Sequence, residues 1–182
     1  MSVIASLVVG GDGSTSIDGS SRLLSTQADR ERFLELHRRA HAIIIGSNTA
    51  DSDPYLNVKV PVYLFSRNPN LTQKKPFTFI YTPDDQSLVR AVNDIETKHG
   101  SPVVIEAGVA LLSKLIALNL IDELELSITP IVGGHNKVAL NQLIDKGEII
   151  SENNIDDTRL LKCRYKRNTS HGEDNSKILH FM

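Results

Sequence analysis

Apolar residues along this chain follow two rhythms that alternate from end to end. Short runs rich in β-branched and aromatic residues are separated by longer stretches in which apolar positions recur every three or four residues. The runs predict strands at Val3 to Val9, Ala42 to Ile45, Pro61 to Phe65, Phe77 to Tyr81, Val103 to Ile105 and Glu123 to Thr129, with a seventh at Arg159 to Tyr165. "AIII" and "VVI" hold no polar residue, so these two should be buried on both faces, as central parallel strands are. The longer stretches predict helices over Gln27 to Arg39, Asp84 to Lys98 and Val109 to Leu118. The first follows Ser25 and Thr26, whose hydroxyls can cap free amides; it carries Asp29 and Glu31 near its positive end and "HRR" at the other. Phe33, Leu36 and Ala40 form its inward stripe, and His37 lies on the same stripe one turn after Phe33, so a polar group should point inward. The second helix is stopped by Gly100 and Pro102. The third is apolar on nearly every side and should be deeply packed. Strands alternating with helices predict an α/β domain with a mostly parallel sheet.

Length and composition narrow this picture. The chain of 182 residues is long enough for one domain with a real core and short for two. We expect one domain over residues 1–167 and a polar tail over 168–182, which contains "NTSHGEDNSK". With 40% hydrophobic and 23% charged residues it fits the globular class, and a net charge of -2 predicts no general affinity for nucleic acid. No apolar run reaches the roughly 18 to 20 residues that span a bilayer, and "MSVIASLVVGGDG" lacks the basic segment of a secretory signal. These features predict no membrane partner and a cytoplasmic protein. Cys163 is the single cysteine, has no ligand-spaced partner, and reads as a structural thiol. The histidines show no metal spacing, since His37 and His41 lack acidic or cysteine partners in a recognisable motif, so no metal is expected.

Four stretches have the form of sites. In "VVIEAGVALL", Val103 to Leu112, a buried strand runs into Glu106 and then Gly108 at a helix N-terminus. Such a turn can bind an anion, because helix amides point outward and glycine lets a phosphate approach closely; equally, Glu106 can be an exposed loop residue and Gly108 can simply ease the turn. "IIIGSNTA" repeats the form with Gly46, Ser47, Asn48 and Thr49, which are either ligand contacts or turn formers and a helix cap. "VYLFSR" ends in Ser66 and Arg67, at the place where dinucleotide-binding sheets distinguish a ribose 2′-hydroxyl from a 2′-phosphate; the alternative is a solvated arginine after a strand. "GGDGST" lacks the third glycine and the immediate helix of a phosphate loop and reads as a hairpin or flexible loop. Asp51 and Asp53 in the proline-bounded "DSDPYL" read as surface turn residues on composition alone.

Taken in order, "ASL", "SSRLLS", "HAIIIGSNTA" with "DPYL", "LFSR", "VVIEAGVALLSKLI" and "LIDELELSITPIVGG" resemble the reductase domain of riboflavin biosynthesis. That domain is the C-terminal half of the RibD-type deaminase/reductase, with a dihydrofolate reductase-like fold. The resemblance spans about residues 4 to 134. It implies a three-layer α/β/α domain that binds NADPH and passes hydride to the sugar carbon of a ribosylamino-pyrimidine phosphate after ring opening to an imine. By motif match, Leu23, Gly46, Thr49, Ser66, Arg67, Gly108, Val109, Ala110 and Leu111 would contact the cofactor, with Arg67 a partner for the 2′-phosphate. Glu106 falls on the substrate-contacting glutamate and is the leading polar participant in catalysis, while Ser21, His37, Asp53 and Leu56 fall on or near other substrate contacts.

The departures from the family pattern bear on the substrate. Ser6-Leu7 is followed by Val8-Val9 where the family has Asp-Gly, and Asp12-Gly13 comes four residues late. His37 stands where the family has a substrate-binding arginine, and a neutral imidazole cannot make the bidentate contact of a guanidinium; Arg38, one residue on, should face about 100° away. Leu23 replaces the usual tryptophan, and Val109 the proline after "EAG". Three readings follow: an NADPH-dependent reductase with a diverged pyrimidine- or pterin-like substrate, the riboflavin-pathway enzyme with Arg38 or Lys59 taking the phosphate, and a non-catalytic nucleotide-binding paralogue. The apolar "ELELSITPIV" suggests an exposed edge strand and hence a homodimer, although an edge can also be covered within one chain.

Overall fold

The structure, a computed structural model, describes residues 2–50, 55, 58–71 and 77–167. Eight strands form one sheet: β1 (Val3–Gly10), β2 (Ala42–Gly46), β3 (Val62–Ser66), β4 (Thr78–Tyr81), β5 (Val103–Glu106), β6 (Glu123–Thr129), β7 (Glu148–Ile155) and β8 (Thr158–Arg164). Their order is β4-β3-β2-β5-β1-β6-β8-β7. The first six to be paired, β4 through β6 in that order, run parallel, and β8 and β7 add an antiparallel hairpin. Among the described residues five helices accompany them: α1 (Gln27–Arg39), α2 (Ser47–Ala50), α3 (Asp85–His99), α4 (Val109–Ala117) and α5 (Leu140–Ile144), with a 3-10 turn at Ser21–Leu24.

The two unbroken apolar strands, β2 and β5, are neighbours inside the sheet, and every residue from Ala42 to Ile45 and from Val103 to Ile105 is buried. Alternation along them sends side chains to two cores. Ile44, Val103 and Ile105 meet Leu88, Val92 and Ile95 of α3 and Leu112, Leu115 and Ile116 of α4. Ile43, Ile45, Leu64 and Val104 meet Leu36 and the following Ala40 of the α1 segment, with Tyr55 and Phe77. Helices on both faces give the three-layer α/β/α arrangement.

Helix α1 is positioned by polar contacts as well as by its stripe. Thr26 caps it by accepting from the Asp29 amide at 3.3 Å. Arg32 has five N–H donors, and all five are used: Nε reaches Ser127 Oγ (2.9 Å), Nη1 reaches the Glu125 carbonyl and carboxylate (both 3.2 Å), and Nη2 reaches Ser6 Oγ (3.2 Å) and Asp29 (3.1 Å). A guanidinium so matched ties α1 to β1 and β6. It also fixes which way the rest of the helix faces.

Three expectations change. Helix α4 is buried on one face only, with Ala110, Ser113, Lys114 and Ala117 exposed, because solvent rather than a further layer covers its outer side. Strand β6 is no edge: β8 pairs along it from Glu123↔Arg164 to Ile128↔Arg159, and the hairpin moves the edge to β7. Strand β7 and the short α5 carry little pattern to read, since most of β7 is exposed and α5 buries Leu143 alone. Cys163 is buried and free, and burial pushes its thiol pKa up, which suits an inert structural role. Among the described residues no helix is long and apolar enough to cross a membrane.

Candidate functional site

Because β1, β2, β3, β5 and β6 are parallel, Gly10, Gly46, Ser66, Glu106 and Thr129 all end at one edge of the sheet. The chain leaves β1, skips one place to make β2, continues outward through β3 and β4, and returns to insert β5 between β2 and β1. Beyond β6 it grows the other way. Such a reversal opens a crevice at the carboxyl ends of the strands, where ligands of open α/β sheets bind.

Glu106 lies in this crevice and is 5% exposed. Alternation along β5 sends it to the same side as Val104, which is the α1 side. There one carboxylate oxygen meets His37 Nε2, and the other accepts from the Tyr55 hydroxyl at 2.5 Å. The imidazole is flanked by Phe33, ring centroids 4.1 Å apart, and Tyr55 packs edge-on against Phe77 at 6.3 Å. Burial, reinforced by the neighbouring Glu106 charge, pushes the Tyr55 pKa well above its ordinary value and keeps the phenol a donor. The inward turn of His37, required by its stripe position, thus ends on Glu106. Arg38 points to solvent and pairs with Glu35 at 2.5 Å.

The turn after Glu106 is open where it meets α4. Gly108 is the N-cap, with no side chain bonded to the free amides of the first turn. A methyl group added at Gly108 would meet nothing within 4 Å. The amides at Val109, Ala110 and Leu111 head the helix, and Leu111 reaches across to β2, 3.8 Å from where a Gly46 side chain would begin. This brings the two strand-glycine turns of the sequence together. Thr49 lies in the one-turn α2. Ser66 is buried; its hydroxyl accepts from the Asn68 amide at 3.0 Å, shaping the turn that exposes Arg67. Ser21 is exposed and Leu23 is 51% exposed on the 3-10 turn, whose Leu24 packs beside Gly10. Asp51, Asp53 and Leu56 lie outside the described residues.

The glycine-rich Gly10 to Gly13 segment is not part of this opening. Its amides are used internally, Gly10 to Ser14 (2.8 Å), Gly11 to Ile131 (3.0 Å) and Gly13 to Gly10 (2.9 Å). Asp12 accepts from Ser14 and from the Gly133 amide (3.0 Å) and pairs with Lys137 (2.9 Å), and these bonds hold its carboxyl far below the usual carboxylate range. Tyr55 is a partner of Glu106 that the sequence does not single out. Tyr55 stands within the quoted "DPYL", but nothing local distinguishes a phenol that finds a carboxylate 51 residues away.

Comparison with known proteins agrees with this architecture. The RibD C-terminal domain family model matches residues 1–174. No protein of curated function matches the sequence. Among solved structures the chain is similar to a pyrimidine reductase-like protein from Corynebacterium diphtheriae, with TM-score 0.73, 15% identity and 92% of both chains covered. It is similar to the diaminohydroxyphosphoribosylaminopyrimidine deaminase/5-amino-6-(5-phosphoribosylamino)uracil reductase of Thermotoga maritima, with TM-score 0.66 and 13% identity; the match covers 90% of this chain and 56% of that one. The chain therefore spans little more than half the length of that bifunctional protein. Dihydrofolate reductase from Enterococcus faecalis, complexed with NADP(H) and RAB-propyl, aligns with TM-score 0.59 and 11% identity over 90% of this chain and 95% of its own. With an α/β sheet of this order and a family match along nearly its whole length, the chain belongs to the RibD C-terminal domain family and has the dihydrofolate reductase-like fold.

Proposed function

We propose that this protein is an NADPH-dependent reductase of the RibD C-terminal type, acting on a pyrimidine- or pterin-like small molecule. The observation that carries the reading is the uncapped N-terminus of α4: Gly108 leaves open space over free helix amides, one residue past the buried Ala107 and two past Glu106. Helix amides with no side chain in front of them suit a pyrophosphate, and a glycine there admits its close approach. Gly108, Val109, Ala110 and Leu111 would hold that group; Gly46, Thr49 and Leu23 would line the adjoining crevice, and Ser66 would set the turn that offers Arg67 to a 2′-phosphate. The cofactor, when bound, supplies a hydride. The chain's own residues orient and exclude water: Phe33 and the exposed Leu23 offer apolar surface, and Glu106, fixed by His37 and Tyr55, presents its remaining lone pairs to a polar group of the substrate. Ser21, Asp53 and Leu56 belong to the substrate side of the same proposal. We place residues 1–167 in one functional unit, in the cytoplasm, acting as a homodimer.

The pairing of both Glu106 oxygens favours a second reading, a nucleotide-binding paralogue without catalysis, in which the carboxylate is a structural bond acceptor. Calorimetric titration with NADPH and then NADH tests the first step. Selective NADPH binding that weakens in Arg67→Ala supports the reductase, and absence of binding to either removes both readings. Cofactor oxidation with a pyrimidine or pterin substrate separates them. If Glu106 takes part, Glu106→Gln lowers kcat/KM about a hundredfold while leaving NADPH affinity unchanged; equal turnover would assign it to structure alone.

A further inference from the structure

A second cavity, of about 540 Å³, lies at the far end of α4 from Glu106, beside the start of β7 and the end of β8. Helix α4 has nine residues, so the two ends stand about 14 Å apart. The floor is Ile116 with Asn119, and the walls carry Lys146, Arg164 and Lys166 against a single carboxylate, Glu148. The lining thus carries three cations to one anion, in a chain whose net charge is -2.

Lys146, Arg164 and Lys166 are all exposed. Among the described residues, Lys146, Arg164 and Lys166 form no ion pair, although most other basic side chains on β8 and its neighbours do: Arg159 pairs with Glu152, Lys162 with Glu123 and Glu125, and Arg167 with Glu96 and Asp122. Glu148 and Arg164 are direct register partners on β7 and β8, the position best suited to cross-strand pairing, and still they do not join. The end of α4 turns a partial negative charge toward the cations but brings no carboxylate. Its last carbonyls are taken, Lys114 by the Leu118 amide (3.0 Å), Leu115 by Leu120 (2.9 Å) and Ile116 by Asn119 (3.1 Å).

The frame around the cations is fixed before any ligand arrives. The Tyr165 hydroxyl donates to the Leu143 carbonyl, and its amide donates to the Asp122 carbonyl at 2.8 Å. Gly147 presses so close to β8 that an added methyl would come within 2.9 Å of the Arg164 carbonyl and 3.1 Å of the Tyr165 ring. This glycine is needed for the close approach that sets Lys146 opposite Arg164 and Lys166.

We propose that this cavity is a binding site, separate from the Glu106 crevice, for a small multivalent oxyanion. The guanidinium of Arg164 would grip one phosphate or carboxylate in a two-bond fork, Lys146 and Lys166 would neutralise the remaining charge, Asn119 would add a neutral donor, and Ile116 would seat an apolar portion. The volume fits a metabolite-sized ligand. Its position across the length of α4 from the uncapped N-terminus makes it a place from which an anionic metabolite can act on the reductase site through one helix. The inference does not depend on the reductase reading.

Titration calorimetry of the full chain with inorganic pyrophosphate, and in parallel with citrate, tests it at an ionic strength held constant with potassium chloride. A saturable site about tenfold weaker in Arg164→Ala and in Lys166→Glu and unchanged in Gly108→Ala is expected; any additional pyrophosphate site at the head of α4 is told apart by its loss in Gly108→Ala. Binding of pyrophosphate alone identifies a phosphate ligand, and binding of citrate alone a polycarboxylate; both support the site. Lack of saturable binding to either probe overturns the proposal. So does affinity that survives in both pocket variants, or that falls only in Gly108→Ala, which would assign the anion to the head of α4.

Discussion

Two glycine turns leave the carboxyl edge of the same sheet and use their glycines in opposite ways. Gly10 and Gly13 are crowded: an added methyl would stand 2.5 Å from the Ile131 carbonyl oxygen at the first and 2.4 Å from that of Val138 at the second. Their lack of a side chain lets the 131–138 segment lie down on the turn, and their amides are consumed within it, Gly10 on Ser14 and Gly13 on Gly10. Gly108 has nothing around it, and the amides beyond it have no side-chain partner. A glycine surrounded by its own chain is there for packing; one facing open space leaves room for something else. The sequence reads "GGDGST" as a hairpin or flexible loop and "EAGVALL" as a turn able to take an anion, and the crowding at Gly10 and Gly13 against the open space at Gly108 runs the same way.

The contrast can be broken at several points. The largest effect is expected at Gly13, where φ is +83° and the space is taken; Gly13→Ala should cost about 3 kcal/mol in a denaturant melt. A loss under about 1 kcal/mol would mean that the 131–138 segment yields. Next comes the clamp on Glu106. Tyr55→Phe leaves a buried carboxylate oxygen without its donor and should cost about 2 kcal/mol at neutral pH. Because the folded Tyr55 pKa lies above its ordinary value, the stability it contributes is full below about pH 10 and declines as pH rises beyond. The alkaline slope of a stability profile should therefore flatten in Tyr55→Phe. Gly108→Ala should keep the fold, costing under about 1 kcal/mol as an N-cap change, yet weaken NADPH about tenfold or more. Unchanged affinity would remove the head of α4 from the cofactor site. The smallest effect concerns Asp12. Its folded pKa lies below the ordinary one, so its bonds persist above the ordinary carboxylate pKa and are lost only as pH falls through the lower folded value. The amide resonances of Ser14 and Gly133 should hold their positions into strong acid and move in Asp12→Asn.

Much of the fold was readable because its central strands are buried on both faces and therefore written in unbroken apolar runs. Val103 to Ile105 and Ala42 to Ile45 announce themselves in this way, and His37 announces an inward polar group by standing on the Phe33 stripe. Where burial fades, so does legibility. Strand β7 exposes six of its eight residues, leaving no alternation to read, and its absence from the pattern made β6 look like an edge. The site was legible as a set of strand ends but not as an assembly. That Gly46 faces Leu111, and that Tyr55 and His37 share one carboxylate, follow from which strands are neighbours. Strand order is a property of the whole chain.

The insertion of β5 between β2 and β1 also bears on how the chain is made. Strand β1 comprises residues 3–10, yet its neighbours are β5, from residue 103, and β6, from residue 123. During synthesis "VIASLVV" waits for roughly ninety further residues before its β5 flank is available, and for longer before β6. Contacts so distant in sequence slow folding, and an apolar strand that waits is exposed to association with other chains. The crevice at Glu106, flanked by β2 and β1, is thus assembled from segments far apart in the sequence.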